Sequence, residues 1–245
     1  MMARGSRVAW SILERLGRFD GSSNLPYPIS MKREDAANVY SLLLERYPGA
    51  TESPTTVARG TPFEVLILTI LSAQTTDKAV LLVRKPLFRK YPTPLALSRA
   101  RVPDVETIIH SLGFYHAKAR NIIAASAMLI GKFGGNVPET MDELLTLPGV
   151  GRKTANIVFY HAFGRNEGIA VDTHVRRLAQ RIGLSDTDNV AMIERDLMKA
   201  YPRELWGDLT DLFIAHGRAT CTARKPACES CPVTRYCRYY RTNYS

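Results

Sequence analysis

The chain has 245 residues, 45% of them hydrophobic, which is room for one large domain or two modest ones with a buried core and excludes wholesale disorder. Lys and Arg number 33 against 23 Asp and Glu, a formal charge of +10, which favours a polyanionic partner such as nucleic acid, with an anionic membrane surface as the alternative on charge alone. No apolar run reaches the roughly 18 residues that cross a bilayer. The longest, Val65 to Leu71, is bracketed by Glu64 and Ser72, so a soluble protein with no membrane partner is expected.

Residues 1–30 read as a flexible leader. Val8-Ala9-Trp10 is too short an apolar piece for a secretory signal, and Glu14 and Asp20 argue against an organellar presequence despite Arg4, Arg7, Arg15 and Arg18. Gly21-Ser22-Ser23-Asn24, Pro26 and Pro28 break any helix begun over residues 9–16. Beyond Met31 the apolar spacing is helical almost throughout. It predicts helices around Val39–Leu44, Val65–Leu71, Val80–Leu87, Val105–Leu112, Ala117–Phe133, Met141–Leu147, Lys153–Phe163, Val175–Ile182, Val190–Tyr201 and Leu205–Gly217. Thr140-Met141-Asp142-Glu143 fits a capping box. No alternating strand pattern competes, so the fold class is all-α with short connections.

Between two of these helices lies Leu147-Pro148-Gly149-Val150-Gly151-Arg152-Lys153-Thr154. Two glycines around one apolar residue let backbone N–H groups approach a phosphate at the positive start of the second helix. This suits a helix-hairpin-helix that grips DNA backbone without reading bases, and an ordinary helix connection with a glycine cap is the plainer alternative. Lys153 falls in the first helical turn, where the dipole and partial burial would favour its neutral, nucleophilic form. Such an amine can attack the C1′ of a nucleotide, expel the base and leave a Schiff base. A simple phosphate contact is the plainer role.

Further on, Val171-Asp172-Thr173-His174 opens another helix. Asp172 can stabilise positive charge developing on a sugar, and it is equally a good N-cap. His174 fits a structural role or a DNA contact. The last 29 residues hold six Arg and Lys against Glu229 alone, half of the net charge, interleaved with Tyr236, Tyr239, Tyr240 and Tyr244. That pattern suits backbone contact with stacking or a solvated tail whose aromatics pack on the body.

All four cysteines, Cys221, Cys228, Cys231 and Cys237, fall within 17 residues, with Pro226 and Pro232 favouring loop. Four soft ligands so close suit an iron–sulfur cluster or a structural zinc, and two local disulfides are the lesser alternative.

The hairpin with its lysine, the Val-Asp-Thr-His segment and the cysteine loop together resemble the endonuclease III family of DNA glycosylases, within the helix-hairpin-helix superfamily, over about Met31 to Arg238. The resemblance implies a [4Fe-4S] cluster on the four cysteines, Lys153 as Schiff-base nucleophile and Asp172 as its acidic partner. It also implies that Gln74, in Leu71-Ser72-Ala73-Gln74-Thr75-Thr76-Asp77, fills the gap left by an extruded base, and that Phe114 or Tyr115, in Leu112-Gly113-Phe114-Tyr115, intercalates; the family's commonest residue where Phe114 stands is leucine. Gly149, Val150, Gly151, Arg152 and His174 complete the expected DNA contacts. Two helical lobes are implied: a six-helix barrel lobe at 53–164 with the hairpin, and a cluster lobe from 31–52 plus 165–245, with Lys153 and Asp172 facing each other across a DNA-binding cleft.

The activity so implied is base excision repair by a bifunctional glycosylase and AP lyase that removes oxidised pyrimidines from double-stranded DNA. The expected enzyme is a cytoplasmic, nucleoid-associated monomer. A mismatch-adenine glycosylase is one alternative, disfavoured by Lys153 and by the chain's end at Ser245. A non-catalytic iron–sulfur DNA-binding protein is the other, and it gives Lys153 and Asp172 no task.

Overall fold

The computed structural model describes residues 31–52 and 60–244; the expected leader and the expected lobe boundary at Ser53 lie outside them. The described residues are helical and contain no strand. They form two compact units.

The first unit is residues 54–167. Its described helices are α3 (Pro62–Ser72), α4 (Asp77–Lys90), α5 (Pro94–Ser98), α6 (Val102–Ile109), α7 (Tyr115–Phe133), α8 (Met141–Leu145) and α9 (Arg152–Phe163). Every residue from Val65 to Leu71 on α3 is buried, as expected for a helix apolar on all faces that runs through a core. Around it pack α4, α7 and α9, closing over Leu87, Leu97, Ile109, Ile122, Leu129 and Phe159. Local caps fix the element starts. The Thr61 hydroxyl accepts from the Glu64 backbone N–H while the Glu64 carboxylate accepts from that of Thr61, a reciprocal capping box that the sequence reading places at Thr140 instead. At Thr140 the hydroxyl accepts from the Glu143 backbone at 3.4 Å, but it also donates to the Glu143 carboxylate at 2.6 Å, so the box is not closed through the backbone.

Among the described residues the second unit joins 31–52 with 168–244. It contains α1 (Arg33–Arg46), α2 (Gly49–Glu52), α10 (Thr173–Ile182), α11 (Val190–Ala200), α12 (Trp206–Ala219) and α13 (Arg238–Tyr244). At its centre α12 packs on α1, α2 and α10, with Tyr40, Leu43, Leu178, Leu197, Leu212 and Phe213 among its buried residues. Three described helices escape the sequence reading. The four-residue α2 and the short α5, with a single buried residue, Leu97, in five, are too short for a periodic signal. The third is α13, which organises part of what reads as a basic tail. The cysteine segment is mostly loop, as its prolines suggest, with single 3₁₀ turns at Cys228–Ser230 and Thr234–Tyr236.

Candidate functional site

In the first unit the hairpin runs from α8 to α9. Gly149 has φ +79, and a Cβ there would come within 3.1 Å of Asn121 and of Ile70, so both conformation and space demand glycine. Val150 is buried and its N–H bonds the Leu147 carbonyl at 3.1 Å, pinning the turn to the unit. Gly151 is the N-cap of α9 and supplies no side-chain cap. A Cβ on Gly151 would meet nothing within 4 Å, so the space in front of this helix start is open. Arg152 and Lys153 follow it and both are exposed. Partial burial of Lys153 is thus not observed, because its side chain leaves the first turn on the solvent side. What remains of that expectation is its place at the positive end of a helix.

Gln74 and Phe114 are the non-glycine residues with left-handed backbone among those described, at φ 52 and 58. That conformation costs a residue with a Cβ about 1–2 kcal/mol and collects at binding and catalytic sites. The two strained loops touch: a Cβ on Gly113 would lie 3.7 Å from the Gln74 carbonyl. Phe114 is 70% exposed, a large apolar ring held in water. Tyr115 differs, since it is half-buried and packs on the unit's core, with its ring centroid 4.0 Å from that of His116.

One residue joins these loops and is missed by the sequence reading. Lys118, 5% exposed, donates from Nζ to Thr75 Oγ1 at 2.5 Å, and its backbone N–H bonds the Phe114 carbonyl at 3.0 Å. Burial pushes its pKa down. A lysine one turn into an apolar helix face is the only sequence trace of this arrangement.

In the second unit Asp172 is the N-cap of α10, its Oδ1 accepting from the Val175 N–H at 2.8 Å. His174 is half-buried against Gly217, and its Nδ1 accepts from Arg177 at 3.1 Å. Burial lowers the His174 pKa; Asp172 opposes that shift, and Arg177 and Arg218 reinforce it. The Arg177 guanidinium also donates to the carbonyls of Gly217 and Cys221, so it ties α10 to the start of the cysteine loop.

The four cysteines line one cavity together with Ile182, His216, Val233, Tyr239 and Tyr240. None is in a disulfide. Among the described residues no three His, Cys, Asp or Glu side chains gather at a point that could hold a metal ion, as a zinc bound at about 2.3 Å from each sulfur requires. Four sulfurs around one apolar cavity fit the donor set of an iron–sulfur cluster. Burial pushes the Cys231 thiol up to about 11 and raises that of Cys237, so the thiolate form needs a cationic group in the cavity.

Two nitrogen-bearing side chains reach these sulfurs. Arg181 on α10 donates to Cys221 Sγ at 3.3 Å, while holding the Thr222 and Ala223 carbonyls. His216 Nε2 lies 3.5 Å from Cys231 Sγ. His216 is 1% exposed, and burial with Arg177 and Arg46 pushes its pKa down. The tail aromatics pack here: Tyr239 and Tyr240 wall the cavity, and the Arg181 guanidinium lies 4.8 Å from the Tyr239 ring centroid. Of the two readings of the basic tail, the packed one describes these tyrosines.

Residues 67–203 match the HhH-GPD superfamily of base excision DNA repair proteins, and residues 221–237 match the iron–sulfur binding domain of endonuclease III. Endonuclease III of Synechocystis sp. is 46% identical over 215 residues, covering 88% of this chain and 97% of that one. The chain belongs to the endonuclease III family. Endonuclease III of Escherichia coli K12 is 40% identical, over 85% of this chain and 97% of its own. A solved trapped covalent intermediate of an endonuclease III with DNA superposes with a TM-score of 0.81 at 41% identity, covering 86% of this chain and 98% of that one. The chain is therefore a DNA glycosylase and AP lyase of base excision repair, it binds DNA, and it carries the [4Fe-4S] cluster of the family. Cys221, Cys228, Cys231 and Cys237 are the residues that fit the cluster; once bound, it supplies a fully ligated, redox-active staple for this loop. No described helix is long and apolar enough to cross a membrane.

Proposed function

We propose that this endonuclease III family member removes oxidised pyrimidines from duplex DNA and then cuts the abasic strand, with Lys153 as the nucleophile. The Lys153 amine attacks C1′ and the base leaves with the glycosidic electron pair. The C1′–O4′ bond then breaks, O4′ taking up the proton given by the lysine nitrogen, so that the open sugar carries an iminium; this acidifies the neighbouring C2′–H, and transfer of that proton to a base breaks the 3′ C–O bond and releases the 3′ phosphate. Asp172 supplies the negative charge that stabilises the cationic sugar. Gly149, Val150, Gly151 and Arg152 hold the backbone phosphate beside the α9 start. Gln74 and Phe114, with Tyr115 beside them, support the duplex around the extruded nucleotide, and His174 contributes to the DNA-facing surface. Residues 54–167 would be the hairpin lobe and the discontinuous unit the cluster lobe. The enzyme would act as a monomer on nucleoid DNA.

What supports this reading most is the position of Lys153, exposed in the first turn of α9 directly behind the open glycine of the hairpin. The test is a duplex with one thymine glycol, incubated with enzyme and borohydride. Wild type is expected to give a trapped covalent adduct and Lys153→Ala none, with duplex binding retained. Base release by both without any adduct would assign the attack to water.

A further inference from the structure

Both ring nitrogens of His216 are engaged. Nε2 faces Cys231 Sγ at 3.5 Å, and Nδ1 lies 3.0 Å from the Tyr47 hydroxyl, itself 2.7 Å from Thr220 Oγ1. The four residues lie in one unit, and the Tyr47 ring packs edge-on against the imidazole at a centroid distance of 5.7 Å. A sulfur that ligates iron has lost its proton and can only accept. Its hydrogen bond with His216 therefore needs the proton on Nε2, whatever the charge of the ring. A ring that carries its one proton on Nε2 accepts at Nδ1, so the Tyr47 hydroxyl donates to it and Thr220 donates to Tyr47. The chain of donors runs in one direction, from Thr220 through Tyr47 and His216 to Cys231.

Hydrogen bonds to cluster sulfurs stabilise the more negative, reduced cluster and so raise its reduction potential. In an apolar wall such a bond keeps more of its strength than in water. Arg181 also donates to a sulfur, but it holds two loop carbonyls as well, so its loss would mix electronics with loop geometry. The His216 side chain holds no loop carbonyl; its second hydrogen bond is the one with Tyr47, which Tyr47→Phe removes by itself.

We propose that His216 is the positioning residue that tunes and retains the cluster through Cys231, with Tyr47 and Thr220 locking its tautomer. The test uses the cluster-loaded protein without DNA and compares wild type, His216→Leu, His216→Gln and Tyr47→Phe. Two quantities are read: the midpoint potential by voltammetry, and the rate at which the visible cluster absorbance is lost to a chelator. His216→Leu is expected to lower the potential and to lose its cluster about tenfold faster, the lower end of what removal of such an outer partner costs. His216→Gln, whose amide can still donate, recovers part of both. Tyr47→Phe keeps the ring packing and shifts the potential less, in the same direction. A loaded His216→Leu protein with wild-type potential and retention overturns the proposal. If His216→Leu does not load, wild-type values in both other variants overturn it equally. None of these readings depends on base release, so they stand or fall apart from the proposed reaction.

Discussion

Lys118 donates to Thr75 from its ammonium and to Phe114 from its backbone, at 2.5 and 3.0 Å, and so it fastens the Gln74 loop to the Phe114 loop from beneath. A buried ammonium with a neutral partner contributes little to stability, because desolvation offsets the hydrogen bond. Its value lies in holding two strained loops in register. Lys118→Met keeps the alkyl volume and removes the charge. Its urea unfolding midpoint should stay near wild type while base release from a lesion duplex falls about tenfold, the equivalent of one charge-assisted hydrogen bond. A variant that unfolds early yet releases base normally would make Lys118 a structural residue only.

The two hairpin glycines separate folding from binding. Gly149→Ala places a Cβ at φ +79 and within 3.1 Å of Asn121 and Ile70, and should cost about 1–3 kcal/mol in urea unfolding. Gly151→Ala meets open space at φ −104, so its cost should be only that of alanine for glycine at an N-cap, about 0.5–1 kcal/mol. If phosphate approaches there, Gly151→Ala weakens binding of damaged and undamaged duplex alike, read by fluorescence anisotropy at low salt. Unchanged affinity would place the phosphate elsewhere.

Asp172 has a structural duty as the α10 cap, and two substitutions distinguish it from a chemical one. Asparagine caps as well as aspartate, whereas alanine loses about 1 kcal/mol. Asp172→Asn should unfold like wild type and lose base release by about 100-fold or more, the scale of a removed electrostatic stabiliser. Asp172→Ala should lose both. Full activity in the asparagine variant would reduce Asp172 to a cap.

Stability should depend on pH through Asp211 on α12. It is 6% exposed, and burial followed by Asp208 pushes its carboxyl up to about 7, against the pull of Arg218. Between the unfolded value near 3.9 and about 7 the folded chain keeps a proton that the unfolded chain has released. Stability therefore falls as pH rises through that window and levels off above it. Asp211→Asn, neutral throughout, should unfold like wild type at pH 4 and be the more stable protein at pH 8. A difference that does not grow with pH would mean that Asp211 is not the group responsible.

The helical class, most helix positions and the two richest motifs were legible because they are local. An unbroken apolar run marks α3, apolar periodicity marks α7 and α12, two glycines mark the hairpin, and four cysteines in 17 residues mark the pocket. In each case the information lies in residues a few positions apart, where backbone geometry alone sets which side chains are neighbours. The left-handed backbone at Gln74 and Phe114, the burial of Lys118, the exposure of Lys153 and the approach of Arg181 and His216 to the sulfurs were decided by tertiary structure. Lys118 meets a hydroxyl 43 residues away and Arg181 a sulfur 40 residues away. Nothing in a one-dimensional pattern encodes which distant groups the packing of helices will bring into hydrogen-bond reach, because that depends on how whole faces interdigitate.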